Sequence, residues 1–153
     1  MAKPHVLMGP FAAIAAAALL LIAIQWFRNG PVTIGEAPIP QVFTSAPRTV
    51  AAAVEQGALQ KRTVIAFATA SWCGPCQQFK RSTLADTRVA EALQRTGIPA
   101  YIDVDSDTDG AGRLKIFSIP VLVALKDGKE VGRMEGNRSA SDVLTWLETL
   151  PPQ

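Results

Sequence analysis

Both cysteines of the 153-residue chain lie in one short stretch, Trp72-Cys73-Gly74-Pro75-Cys76. A thiolate is a nucleophile towards disulfides and a ligand for soft metals, and thiols this close in sequence can close on each other. Three chemistries are open to such a pair: half of a zinc site completed by a second chain, an inert structural disulfide, or a dithiol that exchanges electrons with a partner. Two cysteines and one histidine cannot supply four zinc ligands within one chain. Position favours the dithiol. The preceding Thr63–Thr69 (TVIAFAT) is a continuous, largely apolar run suited to a strand buried on both faces, and Gly74 to Arg81 reads as a helix. A strand end delivers Cys73 to the surface. The helix start then turns free N–H groups and the positive end of its dipole on that sulfur. Both effects favour thiolate, so Cys73 is expected to be the reactive nucleophile. Cys76 comes one helical turn later, is more shielded, and would resolve the mixed disulfide. Gly74 lets another backbone approach closely. Pro75 is tolerated in the first helical turn, where its missing N–H had no helical partner. Trp72 offers a flat rim beside the sulfur.

The elements that must position this motif alternate along the chain. Thr49–Gln60 reads as a helix with Val50, Val54 and Ala58 on one face and Ser45 as its cap. After the motif, Asp86 caps a helix over Thr87–Arg95 that Gly97 ends. Ala100–Val104 reads as a second strand, Asp105 to Gly112 as a loop, and Arg113–Phe117 as a short helix. Val121–Lys126 and Glu130–Glu135 read as strands joined at Asp127-Gly128, a hairpin signal. Ser139 with Asp142 forms a capping-box pattern ahead of a final helix, whose apolar face is Val143, Leu144 and Leu147 and which Pro151 stops. Strand–helix–strand order implies a parallel pair, and the terminal hairpin an antiparallel one, giving a mixed sheet with helices on both faces.

With the motif and its elements in place, the chain resembles the thioredoxin family over roughly residues 48–150. WCGPC is that family's active-site motif, unchanged. Ile119-Pro120 stands where the family has its cis-proline, ahead of an apolar strand. Lys126-Asp127-Gly128-Lys129 is similar to the family's hairpin turn, and Gly136 to its glycine before the last helix. The resemblance implies an α/β thioredoxin-like fold. It also implies that Pro120 lies against the Cys73 sulfur and that the Ile119 backbone pairs with a substrate chain. The stretch from Phe79 to Val89 is further similar to the thioredoxin-like C-terminal domain of bacterial transmembrane thiol–disulfide interchange reductases. There are departures. Phe67 occupies the position of the family's buried acid, a general base for the resolving thiol, and Tyr101 that of the lysine accompanying it. The proline that kinks the active-site helix in many members is absent from Gln77-Gln78-Phe79-Lys80-Arg81.

Ahead of this domain, only Gly9, Pro10 and Gln25 interrupt apolar side chains over residues 6–27, and no charge occurs there. As a helix this run spans about 33 Å, against about 30 Å of hydrocarbon. Trp26 and Phe27, followed by Arg28, suit an interface boundary. A cleaved secretory signal would need small residues just past the apolar core. Ala15 to Ala17 lie inside it instead, and Ile24-Gln25-Trp26-Phe27 is bulky. The expectation is one uncleaved N-terminal transmembrane helix, residues 1–5 as its flank, in a bacterial cytoplasmic membrane. Pro31, Pro38, Pro40 and Pro47 make residues 28–47 an extended linker. The domain at 48–150 is then expected on the periplasmic side.

The chain carries 15 Lys+Arg and 13 Asp+Glu for a net charge of +2, which gives no reason to expect a nucleic-acid partner. No flavin or nicotinamide motif occurs, so no cofactor beyond the Cys73–Cys76 redox-active disulfide is expected. The functional expectation is a membrane-tethered thiol–disulfide oxidoreductase, leaning to a reductant because Gly-Pro resembles reducing members. Its partners would be protein thiols and disulfides, a transmembrane electron donor, and the bilayer through residues 6–27. The alternative is an accessory subunit of a membrane complex that uses the fold for docking, with small residues Ala12–Ala18 packing between helices. His5 reads as a solvated flank and Trp146 as packing or surface. Asp103, Asp105, Asp107 and Asp109 lack the terminal glutamate of a calcium loop and read as a solvated turn, so no metal is assigned.

Overall fold

The computed structural model describes residues 19–21 and 35–152. Leu19, Leu20 and Leu21 are helical, while the rest of the expected anchor at 6–27 and residues 28–34 lie outside the described residues. Among the described residues no helix is long and apolar enough to cross a membrane.

The sheet is built around β1 (Val64–Thr69), whose six residues are all buried. A strand flanked on both sides and covered on both faces can be apolar throughout, which is why TVIAFAT lacks alternation. It pairs in parallel with β2 (Ile98–Asp103), with Phe67 opposite Tyr101 and Thr69 opposite Asp103. On its other side it pairs antiparallel with β3 (Val121–Lys126), which pairs antiparallel with β4 (Lys129–Glu135). The order is β2-β1-β3-β4. The β3–β4 turn uses Asp127 and Gly128 at φ 51° and 71°, the paired positive φ angles that a two-residue hairpin needs.

Side chains alternate across the sheet and feed two cores. On one face Ile65 and Phe67 meet Tyr101, Leu122, Phe79, Leu93 and Leu147. These come in part from α2 (Gly74–Arg81), α3 (Thr87–Thr96) and, beyond one further helix in sequence, the C-terminal Ala140–Glu148. On the other face Val64, Ala66 and Ala68 meet Val50, Ala53, Ile102 and Val123. Val50 and Ala53 belong to α1 (Val50–Gln60). Helices therefore cover both faces of a mixed sheet, as expected.

Four local expectations need correction. The compact unit begins at Glu36, twelve residues before the expected start of the domain at 48. Gln41–Phe43 is a 3-10 turn, Phe43 is fully buried, and the Pro47 carbonyl accepts from the Tyr101 N–H at 3.0 Å along the edge of β2. Apolar Val42 and Phe43 lie buried in the core despite the flanking prolines. Helix α1 is capped by Thr49, whose hydroxyl accepts from the Ala52 N–H at 3.2 Å, and not by Ser45. Its buried face is Val50, Ala53 and Gly57, because a Cβ at Gly57 would stand 2.7 Å from Val64 and the helix leans on the sheet there. Finally, most of the expected loop at 105–112 is taken up by α4 (Thr108–Arg113), and no helix continues over 114–117, where a short helix at 113–117 was expected. Gly110 and Gly112 lower helix propensity by about 1 kcal/mol each. The Asp107 cap, accepting from the Gly110 N–H at 3.1 Å, favours the helix all the same. The other oxygen of Asp107 accepts from the Val50 N–H at 2.7 Å, so one carboxylate ties the starts of α4 and α1 together. The last helix, α5 (Ala140–Glu148), carries the expected Ser139–Asp142 capping box.

Candidate active site

Strand β1 ends at Thr69, and the chain turns through Ala70, Ser71 and Trp72 into α2. Cys73 is the N-cap of that helix, with extended backbone at φ −79° and ψ 98°. Its Sγ accepts from the Cys76 N–H at 3.2 Å. This is the geometry in which an N-cap side chain satisfies an orphan helical donor, with sulfur in the place of the usual oxygen. Pro75 sits in the first turn, where it removes no helical bond. Cys73 and Cys76 form a disulfide with Sγ atoms 2.02 Å apart and Cα atoms 5.2 Å apart. Cys76 is fully buried and Cys73 is 4% exposed.

The expected Ile119-Pro120 pair faces the disulfide. The peptide bond between them is cis, and the Ile119 carbonyl oxygen lies 3.7 Å from Cys73 Sγ. Oxidised sulfur carries no proton, so this contact marks proximity; a reduced Cys73 thiol could donate there. Ile119 packs with Val104 against Ala70, Cys73 and Cys76. Trp72, Val104, Ile116, Phe117, Ser118 and Ile119 line an open cleft of about 420 Å³ beside the reactive pair. Trp72 is 68% exposed and Phe117 92% exposed, an unusual cost for large apolar side chains unless something covers them. The structure thus brings Trp72, Cys73, Gly74, Pro75, Cys76, Ile119 and Pro120 to one end of the sheet.

Several contributors escaped the sequence reading. The Trp72 indole N–H donates to Asp105 Oδ2 at 2.7 Å, which holds the rim in place. Asp103 accepts from the Asp105 and Ser106 N–H groups. With Asp107 capping α4, the aspartates form a working turn instead of a merely solvated one. Gln77 is 5% exposed and bridges two other segments of the chain. Its amide donates to the Ala70 and Ser71 carbonyls, both at 2.9 Å, and its Oε1 accepts from the Ala37 N–H at 2.8 Å. It clamps the turn before the cysteines to the segment that begins the compact unit. Phe67, at the position of the family's buried acid, is fully buried, with its ring centroid 5.8 Å from those of both Phe79 and Tyr101. Lys80 is buried next to the Tyr101 hydroxyl. Burial pushes the Lys80 pKa down from its ordinary value and the Tyr101 pKa up. Spacing carried a trace of Lys80, since Cys76, Phe79, Lys80 and Thr83 recur at helical intervals on one face.

A dithiol capping a helix at the end of a central strand, opposed by a cis-proline, defines a thiol–disulfide exchange site. Residues 50–151 match the model of the thioredoxin-like domain, and the chain belongs to that family. It is similar to a thioredoxin of Mycobacterium tuberculosis, 32% identical over 83 residues that cover 54% of this chain and 69% of the relative. A tobacco (Nicotiana tabacum) thioredoxin H-type 1 is 37% identical over 82 residues, 54% of this chain and 62% of its own. The solution structure of a thioredoxin from Thermus thermophilus superposes with a TM-score of 0.60 at 27% identity, covering 67% of this chain and 84% of that one. The protein is a thiol–disulfide oxidoreductase of thioredoxin-like fold.

Proposed function

We propose that the protein is a membrane-tethered reductant of protein disulfides, held in a bacterial cytoplasmic membrane by residues 6–27 with its catalytic domain on the periplasmic side. The observation that carries the redox half of this reading is Cys73 Sγ at the N-cap of α2, facing the Ile119 carbonyl. Reduced Cys73 attacks a partner's disulfide. One partner sulfur leaves as a thiolate, and the other stays bonded to Cys73. Cys76 then attacks Cys73 Sγ, closes the disulfide and releases the reduced partner. The Ile119 backbone pairs with the partner chain, while Trp72 and Phe117 cover its apolar side chains.

The tether reading is supported by the uncharged run at 6–27 and by Trp26, Phe27 and Arg28 at its end. A tether raises the effective concentration of the domain near membrane partners. The dithiol must be reduced again after each turnover, and a transmembrane thiol carrier is the donor that suits this location.

Insulin-disulfide reduction by the full chain in detergent tests the enzymatic half, with turnover that disappears in Cys73→Ser as the expected result. Absence of turnover, together with stable co-purification in a membrane complex, would favour the accessory-subunit reading. Resistance to alkaline carbonate extraction and protease sensitivity in spheroplasts are expected if the tether and its orientation are right. Release into the soluble fraction, or protection from protease, would overturn them.

A further inference from the structure

A lysine withdrawn from solvent is expensive, and Lys80 is withdrawn almost completely, with its side chain 0% exposed. Its Nζ donates to the Tyr101 hydroxyl at 3.2 Å and lies 5.8 Å from the Tyr101 ring centroid. The nearest carboxylate in an ion pair is Glu36, at 4.0 Å and 58% exposed. A long pair to an exposed partner contributes little to stability and does not offset the burial of an ammonium. Folding alone therefore leaves Lys80 unexplained.

Position supplies the missing reason. Lys80 follows Cys76 by one helical turn on the buried face of α2. Residues four apart have Cβ atoms about 5–6 Å from each other, and helical side chains lean towards the N-terminus. The Lys80 stem therefore runs back over the turn that holds Cys76. No carboxylate enters this space from β1, where Phe67 is buried.

We propose that Lys80 is a positioning residue for the second half of the exchange, its ammonium being the buried positive charge that stabilises the Cys76 thiolate. This deepens the reading above and rests on Cys76 being the resolving thiol. In that step Cys76 first loses its proton to water, and the Lys80 charge favours the loss. The thiolate attacks Cys73 Sγ. The Cys73–Cys76 bond forms, the Cys73–partner bond breaks, and the partner sulfur leaves with the electron pair and takes up a proton from water.

The charged and titratable groups around Lys80 come from three other places. Burial lowers the Lys80 pKa; Glu36, from the segment that precedes the sheet, and Asp103, at the end of β2, pull it back up, and neighbouring Arg81 adds to the lowering. Tyr101, from β2, is held neutral by burial and by the same two carboxylates, with Arg48 lying 5.0 Å from its ring centroid and pulling the other way. Tyr101 thus offers Lys80 a neutral acceptor and does not compete as an anion.

The test uses the reduced full chain in detergent with dithiobis(nitrobenzoate), following thionitrobenzoate release in two phases. The first phase reports attack by Cys73 and the second reports attack by Cys76. Lys80→Met is expected to raise the pH midpoint of the second phase by about one unit and to slow it about tenfold at pH 7. Its first phase stays unchanged. Lys80→Arg restores the second phase. Tyr101→Phe keeps the ring, removes the anchor and gives a smaller shift of the same sign, so it decides the matter if Lys80→Met does not fold. An unchanged second-phase midpoint in a folded Lys80→Met, or in Tyr101→Phe where that variant decides, would overturn the proposal. Cys76→Ser separates the two readings: a second phase that persists there removes Cys76 as the resolving thiol, whatever Lys80 does.

Discussion

Beside Cys73 lie large exposed rings, the Trp72 indole hydrogen-bonded to Asp105 and the Phe117 ring, with the Ile119 carbonyl at 3.7 Å. Around Cys76 the neighbours are more buried. Cys76 has no exposed surface and packs with buried Ala70, and the Gln77 that follows it makes three hydrogen bonds back to Ala37, Ala70 and Ser71. The two sulfurs differ little in their own exposure, at 4% and 0%. What separates them is whether the surrounding groups can accommodate a partner. A disulfide exchanger needs that asymmetry, since only one sulfur should be attacked from outside.

Replacing either sulfur is the strongest way to probe this division. Cys73→Ser is expected to reduce insulin turnover to background, whereas Cys76→Ser should accumulate mixed disulfides visible on non-reducing gels. Equal trapping by both variants would erase the distinction. Next in size is the aromatic core under the sheet that Phe43 joins. A domain starting at Arg48 lacks Phe43, whose ring centroid lies 5.7 Å from Phe67 and 6.1 Å from Tyr101. It is expected to be about 3–5 kcal/mol less stable in urea unfolding than one starting at Glu36. Equal stability would mean that the early segment is not part of the core.

A smaller effect is expected on the open side. Trp72→Ala should raise KM for protein disulfides about fivefold, the loss typical of an interface residue worth about 1 kcal/mol. Thermal stability should be unaltered, since the side chain is 68% exposed. A matching fall in melting temperature would show the rim to be structural. The smallest effect serves as a control away from both sulfurs. The Arg88 side chain holds the Asp86 carboxyl at a pKa of about 2, below its ordinary 3.8. A depressed carboxylate stabilises the fold above the unfolded value. That contribution is lost as pH falls from about 4 towards 2. Asp86→Asn should flatten unfolding midpoints across that window and leave turnover at neutral pH untouched.

How much of this could be read from the sequence follows the range of the interactions involved. The cysteine pair, the buried strand before it and the Asp127-Gly128 turn are local patterns and stood out. So did the capping box at Ser139 and Asp142, because its partners lie three residues apart. The cis bond at Ile119-Pro120 was accessible only through the family resemblance, because an isolated X-Pro carries no such signal. Phe43 was harder, since its burial depends on a chain segment folding back across β2. Gln77, Lys80 and Asp105 were harder still. Each is an ordinary polar side chain until the fold brings Ala37, Tyr101 or Trp72 to it. Helix α4 was missed for a related reason: Asp107, itself satisfied by Val50 from another helix, outweighs two glycines.

The central claim is that the start of α2 activates Cys73. The rate of iodoacetamide alkylation of the reduced full chain, followed against pH with each cysteine resolved by mass spectrometry, tests it most directly. Cys73 is expected to react first, with a midpoint well below the value of about 8.5 for a free thiol. A Cys73 that titrates like free cysteine, or that reacts more slowly than Cys76, would contradict the account.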